Sequence, residues 1–541
     1  MNYFHSLVSQ SLQRSRESTM GLLGIRHPGL REHLRSLLAD EPSAEEGLLG
    51  SPVFEHTFGW KQEDAPLGDL VPYLLSAELL AALATPGPYQ FLPDSKPYCH
   101  QLVAWRSLLE PQPRSLVITS GTGSGKTECF MVPILEDLVR DRAKNGRLVG
   151  VRALFLYPLN ALINSQRERL DAWTKRFQGD IRFCLYNGNT PDRTSSVRNE
   201  QRQRQNEIMS RELLREQPAP ILMTNSTMLE YMMIRQIDSP IIEISRKSGS
   251  LRWIVLDEAH TYVGSQAAEM SLLLRRVVQA FGKRSEEIRF IATSATIADG
   301  DATVKLKQYL AGLAGVPEHQ VVIVGGSRSV PPLQAATDTE SGPLEEVLAI
   351  DAGNEVSSAR YAALTRHTIS RRIRDFIVGR GTPASLDEIV SDVSDKLTEA
   401  TARERKFEVL SWIDVMTETA DAVDGDYFLK VRGHFFQRAL NGLWSCADQG
   451  CGAKSSALAD WPFGNVYAAQ RGACECGAPV CELVFCNDCK GPHLVAEDAA
   501  GRLRQVSPDA GDEFAVIEET AAEGAETTTD EDAEGSIGSR S

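Results

Sequence analysis

One stretch constrains this chain more than any other. The apolar run Ser115-Leu-Val-Ile-Thr leads into Ser120-Gly121-Thr122-Gly123-Ser124-Gly125-Lys126-Thr127, and Glu128 to Leu135 then opens a helical stretch. A strand running into a glycine-rich turn at a helix N-terminus makes a cradle for phosphate. Glycines let backbone N–H groups face the anion without a Cβ in the way, and the helix dipole favours negative charge. In such a cradle Lys126 reaches the β- and γ-phosphates of ATP and the Thr127 hydroxyl ligates Mg²⁺. The strict form of the motif has glycine where Ser120 stands.

A second feature lies downstream. Trp253-Ile-Val-Leu is a buried-strand pattern that ends in Asp257-Glu258-Ala259-His260. An Asp at a strand end beside a phosphate cradle holds Mg²⁺, and the neighbouring Glu258 is placed to orient or deprotonate an attacking water. His260 has two readings, a relay of nucleotide state or a satisfied core hydrogen bond.

Around these motifs, short apolar runs recur at Leu116–Ile118, Ala153–Tyr157, Ile221–Met223, Trp253–Leu256 and Phe290–Ala292, most of them followed by helical stretches. Buried parallel strands alternating with helices read this way, so the expected fold class for residues 96–300 is α/β with a doubly wound parallel sheet. Residues 1–95 read as helices and loops. Residues 301–440 read as mostly helical, with two helical patterns flanking Gly379-Arg380-Gly381-Thr382-Pro383 in the manner of a winged-helix insert. Residues 441–495 form a cysteine module, and 496–541 an acidic tail whose composition predicts disorder.

Together the glycine loop and the Asp-Glu-Ala-His run resemble the first RecA-like domain of superfamily 2 DEAD/DEAH-box helicases, in which serine at the Ser120 position is the usual form. The resemblance implies a RecA-like P-loop NTPase domain followed by a helical insert and a zinc-binding module. It also assigns further segments. Tyr98-Cys-His100-Gln101 resembles the segment that reads adenine, with Gln101 pairing the base. Tyr157-Pro158-Leu-Asn160, Asn187-Gly188 and Thr224-Asn225 resemble the segments that contact the nucleic-acid backbone. Thr293-Ser294-Ala295-Thr296 resembles the motif that couples ATP state to strand engagement. The longer block from Asp257 to Met270 is similar to the YprA/MrfA-like helicases and to the Dpd-type helicases of DNA-modification and phage-defence islands. DNA is therefore expected ahead of RNA as the partner.

Net charge is −16, which by itself argues against a polyanionic partner. Yet Glu497–Ser541 holds 13 acidic residues against three arginines, leaving only −6 for the rest, so a basic groove remains open to the body of the chain. No run of 18 apolar residues occurs and Met1–Arg14 lacks a signal-peptide core, so a cytoplasmic protein with no membrane partner is expected. Seven of the ten cysteines lie within Cys446–Cys489. Cys446-x4-Cys451, Cys474-x-Cys476 and Cys486-x2-Cys489 suit structural Zn²⁺ in a reducing compartment. Six thiols exceed the four one ion needs, and spacing leaves open which four bind and whether there are two sites.

Residues 300–541 contain no Gln-x-x-Gly-Arg-x-Gly-Arg motif, the segment by which the second RecA-like domain of these motors reaches the γ-phosphate. The expectation is that a second RecA-like domain is supplied in cis or in trans. A competing expectation is a nucleotide-gated, nucleic-acid-binding scaffold subunit without motor activity.

Overall fold

The computed structural model describes residues 3–38, 41–43, 47–121, 123–158, 160–294, 302–333, 340–380, 382–423, 425–498 and 503–505. Two compact units emerge. One comprises Glu55–Ala335 with Asp375–Pro383, the other Met1–Phe54, Ala336–Arg374 and Ala384–Ser541.

The first unit is built on eight strands: β1 (Ser115–Thr119), β2 (Ala153–Leu156), β3 (Phe183–Leu185), β4 (Glu207–Ile208), β5 (Ile221–Thr224), β6 (Trp253–Leu256), β7 (Arg289–Ser294) and β8 (Val321–Gly325). Their order is β4-β3-β5-β2-β6-β7-β1-β8, and every pairing is parallel. The central strands are apolar on both faces because both faces are covered. Leu116, Ile118, Phe155, Trp253 and Val255 enter the core on one side, and Val117, Leu154, Leu156, Ile254 and Leu256 the core on the other. Each such buried side chain contributes roughly 1.5–3 kcal/mol. All five strands expected from apolar runs are present. The sheet also gains β3, β4 and β8, so it extends past residue 300 through Val321–Gly325.

The helices that matter for the site are α1 (Cys99–Leu108), α2 (Lys126–Asn145), α3 (Asn160–Thr174), α4 (Ser226–Ile234), α5 (Gly264–Ala280) and α6 (Ala302–Ala314). Helix α2 starts at the phosphate cradle, after Gly125 in the left-handed region, and stops at Gly146, again with positive φ. Between these ends it buries a continuous face from Cys129 to Val139.

In the second unit, helix Tyr3–Leu22 packs on helix Ala402–Glu418. The backbone N–H groups of Phe4 and His5 donate to the Asp414 carboxylate at 2.6 and 3.1 Å, so a buried acid caps the N-terminal helix. Helix Leu386–Val393 follows the short strand Ala384–Ser385 and packs against Ala402–Glu418. Its N-terminus is closed by a capping box of Ser385 and Glu388. A four-stranded antiparallel sheet holds the cysteines: β9 (Trp444–Cys446), β10 (Val466–Tyr467), β11 (Val480–Phe485) and β12 (Pro492–Val495), in the order β10-β9-β11-β12. No described helix is long and apolar enough to cross a membrane. The tail from residue 506 lies outside the described residues.

Candidate nucleotide site and cysteine cluster

The parallel sheet brings the C-terminal ends of β1, β6 and β7 side by side, and the site is assembled there. The glycine loop leaves β1. Its Ser120 and Ser124 hydroxyls bond each other at 2.6 Å, and the Ser124 carbonyl meets His100 Nε2 at 2.7 Å. Gly125 has φ +71°, and a Cβ there would lie 2.3 Å from Gln101 Nε2, so the position admits only glycine. Lys126 points across to β7, its Nζ 3.4 Å from the Ser294 carbonyl. Gly121, Gly123 and Thr127 complete the loop, and Thr122 lies outside the described residues.

Gln101 makes two bonds within the protein. Its Oε1 accepts from Tyr98 N–H at 2.9 Å and its Nε2 donates to the Gly125 carbonyl at 3.3 Å. One end of this buried amide caps its own helix α1 and the other ties that helix to the glycine loop, which leaves one N–H and one oxygen lone pair of the amide unengaged by these two bonds. Beside it stands an aromatic group that the sequence reading missed. Tyr98 stacks on His100 at 5.5 Å, and Trp60 meets His100 edge-on. The Arg328 guanidinium lies 3.5 Å from the Trp60 ring centroid. Gly326, just after β8, approaches so closely that a Cβ would be 2.6 Å from the Trp60 ring.

Asp257 directly follows β6 and is half-buried; desolvation holds its carboxyl above the usual range, partly offset by a hydrogen bond from Thr293. The Thr293 hydroxyl donates to Asp257 Oδ1 and accepts from Glu258 N–H, the latter at 2.9 Å, so one hydroxyl from β7 fixes both acids. Thr293 was visible in the motif but not singled out. Glu258 sits at φ +49°, a strained conformation for a side-chain-bearing residue that turns its carboxylate out of the strand direction. His260 Nδ1 is 3.3 Å from Glu258 Oε2, and its side chain is 44% exposed, which rules out the core-histidine reading. The Tyr309 hydroxyl of α6 donates to the carbonyls of Ala259 and Tyr262 at 2.8 and 2.9 Å and clamps this turn. The Ser294 hydroxyl is buried and has no partner among the described residues. Ala295 and Thr296 lie outside the described residues.

Among the candidate strand contacts, Thr224 is buried and its hydroxyl donates to the Tyr186 carbonyl at 2.7 Å, so it braces β5 against the following loop. The Asn225 side chain caps α4 by accepting from Met228 N–H at 2.8 Å. The Asn187 side chain accepts from Asn189 N–H at 2.9 Å and shapes the turn that exposes Gly188. These side-chain oxygens build the loops, because Asn and Thr satisfy nearby backbone groups before anything else. Helix α3 begins at Asn160, whose side chain lies outside the described residues.

In the second unit, Cys446, Cys451, Cys474 and Cys476 bring their sulfurs within 4.8 Å of one another. The pairs Cys446–Cys476 and Cys451–Cys474 are 3.6 and 3.5 Å apart. Four thiolates about 2.3 Å from a tetrahedral zinc stand about 3.8 Å from each other, so the cluster has the size of such a site. Burial pushes the Cys474 thiol up, but the Tyr467 hydroxyl at 3.2 Å and the neighbouring sulfurs outweigh it and bring the thiol down to about 7. Cys486 and Cys489 are not part of this group. They sit at the β11–β12 turn, where Cys486 N–H bonds the Gly491 carbonyl at 2.9 Å. All ten cysteines are free thiols.

Residues 98–303 match the DEAD/DEAH box helicase family, and residues 466–540 match the YjiV N-terminal domain. The chain is similar to the Druantia protein DruE of Escherichia coli (strain UMEA 4076-1), 26% identical over 90% of this chain and 32% of that protein. It is also similar to the uncharacterized ATP-dependent helicase YprA of Bacillus subtilis (strain 168), 29% identical over 37% of this chain and 23% of that one. The chain thus spans less than two thirds of the length of the relatives it matches. Among solved structures it is similar to the DUF1998 helicase MrfA bound to DNA, with 22% identity and a TM-score of 0.35 over 64% of this chain and 42% of that one. With a glycine loop, an acid pair and a bridging threonine at adjacent strand ends, residues 98–303 have the parts of the DEAD/DEAH box helicase domain that they match.

Proposed function

We propose that this chain is the ATP-binding portion of a nucleic-acid helicase or translocase, acting on DNA and reaching full activity with a second RecA-like domain. The observation that carries the proposal is the convergence of Lys126, Asp257 and Glu258, with Thr293 joining the two acids. The glycine cradle fits a triphosphate, since Gly125 turns the loop through the left-handed region directly into the N-terminus of α2, where backbone N–H groups and the helix dipole favour an anion. The half-buried carboxyl of Asp257 fits a cation, whose charge would offset the desolvation of the acid.

In this reading Lys126 holds the phosphates, and Asp257 with Thr127 would hold Mg²⁺. The bound ion supplies neutralisation of charge on the β- and γ-phosphates. Glu258 orients the attacking water, and His260 positions the Glu258 carboxylate. The half-exposed Tyr98 ring beside the loop gives adenine a stacking face, with Gln101 next to it to pair the base. Strand contact falls to the exposed turn at Gly188 and the N-terminus of α4, and Ser294 to Thr296 link the two events. The four-cysteine cluster would hold a structural Zn²⁺. Free thiols throughout suit a reducing compartment, the cytoplasm. The likeness to helicases of phage-defence islands extends the reading to a defence role.

The test is DNA-stimulated phosphate release. We expect weak basal hydrolysis, raised by single-stranded DNA, with little unwinding by this chain alone. Lys126→Ala and Glu258→Gln should each lower it by about 100-fold or more. Hydrolysis that is indifferent to Glu258→Gln would remove the catalytic reading and leave the scaffold one.

A further inference from the structure

The nucleotide site uses one edge of the parallel sheet, where the strands end. At the opposite edge, where β3 and β5 begin, lies a cavity of about 300 Å³. Arg182, Arg147, Gln178, Gln205, Gln217 and Asp180 line it. Arg182 immediately precedes β3 and is 2% exposed. Its Nη1 donates to Gln217 Oε1 at 3.1 Å, but its buried Nε and Nη2 have no partner among the described residues.

Those two atoms form the edge of a guanidinium that takes an oxyanion with two parallel hydrogen bonds. Burial works against the charged form of Arg182, and the like charge of Arg147 adds to it. The carboxylate in the cavity wall does not offset this, since Asp180 is engaged by Arg142 at 2.9 Å. A buried cation without a counter-ion is costly and is retained where something completes it. Nothing in the ATP site requires this arrangement, which sits at the other end of the strands.

We propose that this cavity is a second anion site, taking the phosphate or carboxylate group of a small molecule between Arg182 and Arg147. The exposed Gln178 and Gln205 side chains line the same cavity, and their amides are available to the remaining oxygens.

The test is calorimetric titration of the full chain with inorganic phosphate and, separately, acetate, with a non-hydrolysable ATP analogue filling the glycine loop. Saturable binding of one anion per chain is expected, and the preferred anion identifies the group. Arg147 is exposed, so Arg147→Glu should fold normally and weaken binding by about tenfold or more. Arg182→Gln should abolish it, with circular dichroism confirming the fold. Absence of saturable binding of either anion overturns the proposal, as does binding unchanged by Arg147→Glu. Because the glycine loop is occupied and its residues are untouched, this outcome is independent of whether the chain hydrolyses ATP.

Discussion

At the scale of single residues, the catalytic end of the domain depends on Thr293 as much as on the acids it joins. Its hydroxyl donates to the Asp257 carboxylate and accepts from the Glu258 backbone N–H, so removing it frees the Asp257 carboxylate and loosens the backbone that carries Glu258. Thr293→Val keeps the volume and removes the bridge. We expect kcat for ATP hydrolysis to fall roughly 10- to 100-fold, since small misplacements of catalytic groups cost that much. Thr293→Ser should retain most activity. Steady-state phosphate release with both variants checks this, and equal rates for Thr293→Val and the parent chain would remove the bridge from the mechanism. The residues proposed for chemical roles were legible because chemistry demands specific types at fixed spacing: Lys126, Asp257 and Glu258 could be named without coordinates, and the fold brings them to adjacent strand ends. Gln101, Thr224 and Asn225 were named by the same motifs, yet their side chains engage backbone groups. A motif gives the type and place of a residue; whether its polar atoms are free depends on which backbone groups the fold leaves nearby.

At the scale of elements, legibility followed apolar runs. The strands β1, β2, β5, β6 and β7 are continuous apolar segments buried on both faces, and each could be read directly. Strand β4 has two residues and β3 three, too short to show a period. Strand β8, Val321–Gly325, carries a clear signal in four branched apolar residues, but it follows the last helicase motif and so fell outside the expected domain. The helix Tyr3–Leu22 illustrates a contact with no local signal at all. Its first turn is capped by Asp414, about 400 residues away in sequence. Burial raises the Asp414 carboxyl to about 6, though the N–H groups of Phe4 and His5 oppose the shift. The folded carboxyl therefore keeps its proton up to about pH 6, whereas the unfolded one loses it near its ordinary value of 3.8. The stabilisation from this group is complete below pH 3.8 and is lost as pH rises through 6. Asp414→Asn removes the titration. The melting temperature of the parent chain relative to this variant should thus decline by about 2 °C or more between pH 4 and pH 7. Thermal unfolding at a series of pH values checks it, and a difference that stays level with pH overturns it.

At the scale of the whole molecule, chain order and spatial order part company. Residues 1–54 group with the helical and cysteine-bearing segments, while 55–95 group with the nucleotide domain. Sequence proximity placed the N-terminal residues together, and only long-range packing separates them. The cysteines follow the same logic. Spacing offered three pairs without saying which combine, and the sheet decides. Cys446 ends β9, while Cys474 and Cys476 sit in the loop before β11, so strand pairing carries them to each other and to Cys451. Cys486 and Cys489 lie at the far end of β11 and are left out. One zinc per chain is therefore the expected content. Cys474→Ser should reduce it to about one fifth or less, because three thiolates leave the tetrahedral site open, and Cys489→Ser should leave it at one. A structural zinc contributes about 10–16 kcal/mol in small zinc domains, more than a cluster of a few apolar side chains around β9–β11 can replace. Chelation should then expose residues 441–495 to protease while the nucleotide domain, with its own two cores, keeps its ATP affinity. Metal analysis of the three proteins and limited proteolysis with and without chelator measure this. Two zinc ions per chain, or loss of zinc in Cys489→Ser, would mean that the turn at Cys486 and Cys489 holds metal in its own right.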